Sequence, residues 1–78
     1  MEFRYIIPYI KDKVLVRRKL WNNNKYIILR NINGIDVLNV VYNDNKNKEK
    51  ILSNDYHLST EDILAEDWEI WIFGSYIT

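Results

Sequence analysis

Apolar side chains at the start of this chain recur at the spacing of a helix. Phe3, Ile6, Ile7 and Ile10 follow the i, i+3, i+4, i+7 pattern of an amphipathic helix. Pro8 falls inside the pattern and lacks a backbone donor, so the helix is either kinked or begins only near residue 5. The pattern therefore predicts an N-terminal helix.

The next apolar residues alternate with polar ones or form short runs, which is typical of strands. Four such runs predict strands, over residues 14–18, 25–32, 35–42 and 67–73. Residues 51–58 form either one short strand or irregular structure. Asn33-Gly34, between the second and third runs, is the strongest hairpin-turn signal in the chain.

A second, shorter helix is indicated before the last strand. Ser59 stands three positions before Asp62 and just ahead of Ile63 and Leu64, which is the spacing of a capping box with Asp in place of Glu. Residues 43–50 are polar, and we expect an exposed, flexible loop there. These elements predict one α+β domain over residues 1–78, with an N-terminal helix, a small antiparallel sheet and a short second helix.

Two of the predicted strands are apolar on both sides, which bears on assembly. In the last strand, Trp68 and Ile70 face one way while Trp71 and Phe73 face the other. An antiparallel strand in a monomer usually leaves one face in water. We therefore predict a homo-oligomer, the alternative being a monomer in which a helix covers the second face.

Composition excludes several classes of protein. Of 78 residues, 47% are apolar and 28% charged, so the chain is not of a disordered type. Eleven basic residues balance eleven acidic ones, which argues against binding a nucleic acid polymer. With no cysteine and one histidine, we expect no disulfide, metal or cofactor. No apolar run is long enough to span a membrane and no signal peptide is evident, so we expect the protein in the cytoplasm.

Charge is divided between the two parts of the chain. Residues 1–30 carry eight basic and two acidic side chains, whereas residues 31–78 carry three basic and nine acidic ones. The densest clusters are residues 17–19, all basic, and residues 61–69, mostly acidic. Either these clusters face one another, or part of the basic cluster stays available for an anion.

Two motifs together resemble the Thoeris anti-defense 2-like family of small phage proteins. One is the Arg18-x-x-Trp21 spacing after the first predicted strand; the other runs from Asp62 through Ile63-Leu64-Ala65 to Asp67-Trp68-Glu69. The order and spacing agree over nearly the whole chain. Lys13 stands where many members carry glycine, and residues 54–57 replace an aromatic-proline or Trp-rich stretch, so ligand choice can differ here.

The resemblance implies a molecular sponge. Members bind a cyclic nucleotide immune signal, notably glyco-cyclic ADP-ribose or a related cyclic oligonucleotide, and sequester it without cleavage so that the defence effector stays inactive. The resemblance also implies a homo-oligomer, a tetramer or a dimer, acting in the cytoplasm of the infected bacterium.

Such a ligand offers an adenine ring that needs a stacking partner. Trp21 is the best candidate, because it ends a predicted strand beside an Asn-rich loop; the alternative is that it packs in the core. Tyr26 and Tyr56 are weaker candidates. Asn22 and Asn54 are amide candidates for the adenine edge, although neither stands out among the ten asparagines of the chain.

The pyrophosphate and the ribose hydroxyls need polar partners. Arg18 matches the arginine of the family motif and suits the pyrophosphate, as do the backbone amides at Ser59 and Thr60. Asp62 matches the motif's carboxylate and suits a ribose hydroxyl. Each charged candidate has a structural alternative: Arg18 pairs with Asp67 or Glu69, and Asp62 only caps its helix.

Two other functions compete with the sponge. An enzyme is disfavoured, because the chain has two glycines and no nucleophile elbow, metal set or Gly-rich phosphate loop. A small protein–protein interaction module, such as a phage inhibitor of a host protein, is the stronger alternative, since a two-sided sheet is also suited to docking a partner.

Overall fold

One antiparallel sheet carries two helices in the part of the chain that the structure describes. The structure is a computed structural model and describes residues 1–21, 25–43, 49–53, 56–72 and 75–78. Its helices are α1 (Phe3–Lys11) and α2 (Thr60–Leu64). Its strands are β1 (Leu15–Arg18), β2 (Lys25–Ile32), β3 (Ile35–Asn43), β4 (Glu49–Ser53), β5 (Trp68–Ile72) and β6 (Ser75–Ile77). The predicted α+β class is confirmed.

The order of strands in the sheet is β4-β3-β2-β1-β5-β6. The chain runs from β2 to β4 as a meander, and β5 and β6 form a hairpin on the opposite side of β1. β1 therefore joins the two halves, pairing with β2 at Val16↔Ile27 and with β5 from Leu15↔Trp71 to Arg18↔Trp68.

The core lies on the face of the sheet that α1 covers. Val16, Ile27, Val40 and Ile70 stand side by side across four strands and are all buried. Ile6 of α1 is fully buried against them. Because side chains alternate along a strand, the neighbours of these residues project from the other side, called here the second face.

Helix α1 begins at Phe3, so of the two alternatives that Pro8 left open, the later start near residue 5 is wrong. Pro8 lies inside the helix. Ile6 faces the core as predicted, and Phe3 packs on Trp68 with 5.5 Å between ring centroids, but Ile7 is 37% exposed. Three of the four periodic apolar residues, Phe3, Ile6 and Ile10, thus pack against the core.

Lys13, which stands where many members of the resembled family carry glycine, lies at the end of α1. Lys13 has φ +61° in the left-handed region, and its amide donates to the Ile10 carbonyl while that of Val14 donates to Tyr9. This is the hydrogen-bond pattern of a Schellman cap, whose left-handed position favours glycine. Lys13 therefore occupies a position where glycine would be relaxed.

The Asn33-Gly34 hairpin is confirmed, while other boundaries differ from prediction. Asn33 and Gly34 have φ +53° and +83°, as a type I′ turn requires. Strands β3 and β4 extend into both ends of the loop predicted at 43–50, whose residues 44–48 lie outside the described ranges. Strand β6 was not predicted, because three residues are too few to show alternation.

Candidate functional site

A buried arginine joins α2 to the central strand. Arg18 is 8% exposed, and its Nε donates to Asp67 Oδ1 at 2.9 Å while its Nη1 donates to Asp62 Oδ1 at 3.2 Å. The exposed Glu61 lies 3.6 Å from the same Nη1. The β1–β5 register places Arg18 opposite Trp68, which brings Asp67 beside the guanidinium. The predicted alternative of an Arg18–Asp67 pair is therefore present.

Asp62 accepts hydrogen bonds from several parts of the chain. The Tyr56 hydroxyl donates to its Oδ2 at 2.6 Å, and the Ser59 amide reaches the same oxygen at 3.3 Å. The Ser59 hydroxyl accepts from the Asp62 amide at 3.1 Å, which completes the predicted capping box. The indole of Trp68 donates to the Asp62 carbonyl at 2.8 Å. Asp62 thus both caps α2 and ties it to the core.

These contacts shift the acid–base equilibria of the group. Burial alone would raise the pKa of Asp62, but hydrogen bonds from Tyr56, Ser59 and Arg18 outweigh it and lower that pKa from 3.8. Burial would also raise the pKa of Asp67, but the hydrogen bond from Arg18 outweighs burial and leaves that pKa below 3.8. Burial and the bond to Asp62 raise the pKa of Tyr56. Both carboxylates are therefore charged at neutral pH, and Tyr56 keeps its proton.

An aromatic pair, Trp21 and Tyr56, adjoins this charged group through the Tyr56 hydroxyl. A turn closed by the Trp21 amide on the Arg18 carbonyl, at 2.9 Å, returns the chain to the core face after β1. The Trp21 ring then meets Tyr56 and Trp68 edge-on, with centroids 5.8 and 5.4 Å away. The Lys25 Nζ lies 4.4 Å from the Trp21 centroid and 5.2 Å from that of Tyr56. We call Trp21, Tyr56 and Lys25 the aromatic site.

A second group of rings lies on the second face. Tyr26 stacks on Tyr76 at 6.4 Å, their hydroxyls are 2.5 Å apart, and Trp71 packs edge-on against Tyr76 at 4.5 Å. The Arg17 guanidinium lies 5.3 Å from the Tyr76 centroid and 5.7 Å from that of Tyr26. Burial and the bond to Tyr76 raise the pKa of Tyr26 to about 12. We call these four residues the second-face cluster.

The structure brings together most of the residues proposed from the sequence. Arg18, Trp21, Ser59 and Asp62 belong to or adjoin the aromatic site. Thr60 begins α2 and is exposed. Tyr26 belongs to the second face, away from the others, and Asn22 and Asn54 lie outside the described residues.

Lys25 was not proposed from the sequence. It begins β2, and its neighbour Tyr26 was considered instead. Alternation places the two on opposite faces, so Lys25 shares the face of Trp21. The basic residue next to an aromatic candidate was the available signal, but its contact with Tyr56 depends on a pairing across 31 positions of the chain.

Within the described ranges, no group of three or more histidine, cysteine, aspartate or glutamate side chains is arranged to hold a metal ion. No helix in the same part of the chain is long and apolar enough to cross a membrane.

Comparison with known proteins assigns the family. The model of the Thoeris anti-defense 2-like domain matches residues 1–71 of the 78-residue chain. No curated protein and no solved structure matches significantly. Because the match covers almost the entire chain, the protein belongs to the Thoeris anti-defense 2-like family, and its role is one of phage anti-defense.

Proposed function

We propose that this Thoeris anti-defense 2-like protein binds and sequesters a cyclic nucleotide immune signal, glyco-cyclic ADP-ribose or a related cyclic oligonucleotide, without cleaving it. Holding the signal would leave the defence effector without its activator. The observation that carries the proposal is the aromatic site: two half-buried rings beside a cation, at the end of a central strand.

The chemistry of the site matches such a ligand. Competing with an effector for a signal calls for nanomolar binding, about −12 kcal/mol. Stacking on an aromatic ring contributes about 1–3 kcal/mol per base, and Trp21 and Tyr56 offer ring surface for it. The phosphates require a cation, which Lys25 supplies next to the rings.

The buried charges have a positioning role in this proposal. The guanidinium of Arg18 is already balanced by Asp62 and Asp67, so an incoming phosphate would compete with two carboxylates. The bond from Tyr56 to Asp62 fixes the Tyr56 ring relative to α2. Arg18, Asp62 and Ser59 therefore act behind the rings, keeping them in place before the ligand arrives, which lowers the entropic cost of binding.

Assembly forms the other half of the proposal. Trp71 is half-buried and Tyr76 is 41% exposed on the second face, in a sheet whose opposite face packs on α1. We assign this surface to contacts between copies of the chain in a homo-oligomer, a dimer or a tetramer. Tyrosine, tryptophan and arginine, which make up the second-face cluster, are the residue types enriched in such interfaces.

A thermal-shift panel of cyclic nucleotides, followed by recovery of the ligand, tests the proposal. A bound signal raises the melting temperature by mass action. Heat-released ligand should have the retention time and mass of the ligand that was added. A chemically altered ligand would contradict sequestration, and the absence of any shift across the panel would contradict binding.

A protein-interaction module remains the alternative function. It is favoured by a groove of about 470 Å³ between the start of α1 and α2, where Ile63 and Leu64 are 47% and 73% exposed. Light scattering after size-exclusion chromatography separates the two. A monomer that ignores every cyclic nucleotide and binds a host protein, with binding lost in Leu64→Glu, would favour the module.

A further inference from the structure

Lys25 has no carboxylate partner among the residues that the structure describes, unlike Arg18 behind the aromatic site. Within the described residues its contacts are with the Trp21 and Tyr56 rings, at 4.4 and 5.2 Å from their centroids. Arg18, by contrast, is paired with Asp62 and Asp67. In this part of the chain, as far as the structure describes it, Lys25 is therefore a cation beside the rings that no carboxylate balances.

The ammonium of Lys25 lies over ring surface that a stacked base would use. A flat base cannot lie on the same part of the Trp21 face while the ammonium stays 4.4 Å from its centroid. The four-carbon stem of lysine is flexible, so the ammonium can leave without moving the backbone of β2. Its contact with the rings is weaker than a charge-assisted bond to a phosphate oxygen.

The Lys25 ammonium couples stacking of the base to binding of the phosphate in an adenine nucleotide. When the base of a nucleotide displaces the ammonium, the phosphate of the same nucleotide offers the ammonium a better partner than the rings. A base without a phosphate displaces it and offers nothing in return. The site thus favours one class of ligand and opposes another with the same side chain.

We propose that Lys25 is the specificity-determining residue of the aromatic site: its ammonium moves from the Trp21 and Tyr56 rings to a ligand phosphate when adenine stacks there, which selects phosphate-bearing adenine ligands over unphosphorylated ones. This inference rests on the proposed function. It adds the discrimination between ligands and the residue responsible.

Calorimetric titration with two probes tests it: glyco-cyclic ADP-ribose, which carries a pyrophosphate, and adenosine, which carries none. Lys25→Met keeps an unbranched stem and removes the charge, while Lys25→Arg keeps a cation. Lys19→Met, at an exposed lysine beyond β1, is the matched control. The melting temperature of each variant shows whether it is folded.

In Lys25→Met, affinity for glyco-cyclic ADP-ribose should fall about tenfold or more, the equivalent of one charge-assisted hydrogen bond. Affinity for adenosine should stay constant or rise, because nothing has to be displaced. Lys25→Arg and Lys19→Met should stay within about twofold of the parent for the pyrophosphate ligand. The affinity of the parent should also fall more steeply with salt than that of Lys25→Met.

Equal losses for both probes in Lys25→Met would overturn the inference, since Lys25 would then only support the rings. Unchanged binding of glyco-cyclic ADP-ribose would overturn it too. Both results leave the proposed function intact, because the parent still binds its signal. A parent that binds no cyclic nucleotide at all would instead refute the proposed function, and this inference with it.

Discussion

In the part of the chain that the structure describes, two groups of aromatic rings each have a cation over them, and they differ in what lies behind the rings. In the aromatic site, the Tyr56 hydroxyl donates to Asp62, which is paired with the buried Arg18. In the second-face cluster, the hydroxyls of Tyr26 and Tyr76 lie 2.5 Å apart, and Arg17 Nη1 donates to the Tyr76 hydroxyl at 3.3 Å. Among the described residues, the first group is attached to a network of ion pairs in the protein interior, whereas no ion pair joins the second.

This difference separates two uses of the same residue types. Rings attached to buried charges keep their geometry, which suits a small ligand that must find its stacking surface already formed. Rings attached mainly to one another can adjust together, which suits contact with another protein surface.

Removing a buried charge should give the largest effect. Asp62→Ala leaves Arg18 with one fewer buried carboxylate, and the free energy of unfolding should fall by about 3 kcal/mol or more. Arg17→Met, in the second-face cluster, should cost about 1 kcal/mol. Urea denaturation measures both. Equal costs would mean that the network does not distinguish the two groups.

Removing one hydroxyl from each group gives a pH-dependent contrast. The Tyr56 bond lowers the pKa of Asp62, so it stabilises the fold above pH 3.8 and this contribution is lost as pH falls through the depressed folded-state value. Tyr56→Phe should therefore cost about 1.5–3 kcal/mol at pH 7 and progressively less below about pH 4. Tyr26→Phe should show no such acid dependence in stability curves recorded from pH 7 to pH 2.

Replacing one tryptophan in each group separates ligand binding from assembly. Trp21→Leu removes the flat ring and should weaken binding of the cyclic nucleotide by about 1–3 kcal/mol. Trp71→Leu should retain the ligand affinity of each subunit while weakening the oligomer. Calorimetry and light scattering read the two effects separately. If Trp71→Leu loses the ligand and Trp21→Leu does not, the assignments are reversed.

The smallest effect is expected in alkali. The pKa of Tyr26 is raised to about 12, so the folded state keeps a proton that the unfolded state releases near pH 10. The contribution of Tyr26 to the free energy of unfolding is complete below pH 10 and is lost as pH rises through about 12. Tyr26→Phe should cost about 1 kcal/mol at pH 8 and flatten the stability curve between pH 10 and 12. A slope identical to the parent's would contradict this.

Local features of the fold could be predicted, because their signals lie within a few residues. Asn33-Gly34 sets a hairpin by its backbone preference alone. Ser59 and Asp62 form a capping box across three positions. Phe3, Ile6 and Ile10 define a helical face by their spacing.

The site could be predicted only in part, because it depends on which strands become neighbours. Arg18 and Trp21 were found as candidates, but the pairing of β1 with β5 decides that Arg18 meets Asp67, 49 positions away. The two alternatives for Arg18, a contact with the pyrophosphate or an ion pair with a carboxylate, differed only in that strand pairing. The role suggested for Lys25 depended likewise on a contact with the distant Tyr56.

The central place of β1 has a consequence for how the protein is made. Its partner β5 begins at Trp68, so the core cannot close until some fifty residues after β1 have been synthesised. Contacts so distant along the chain slow folding, because a long loop must be ordered first. During translation α1 and the meander of β2 to β4 leave the ribosome before β5 can add Trp68 and Ile70 to the core, so the finished fold forms only after β5 has emerged.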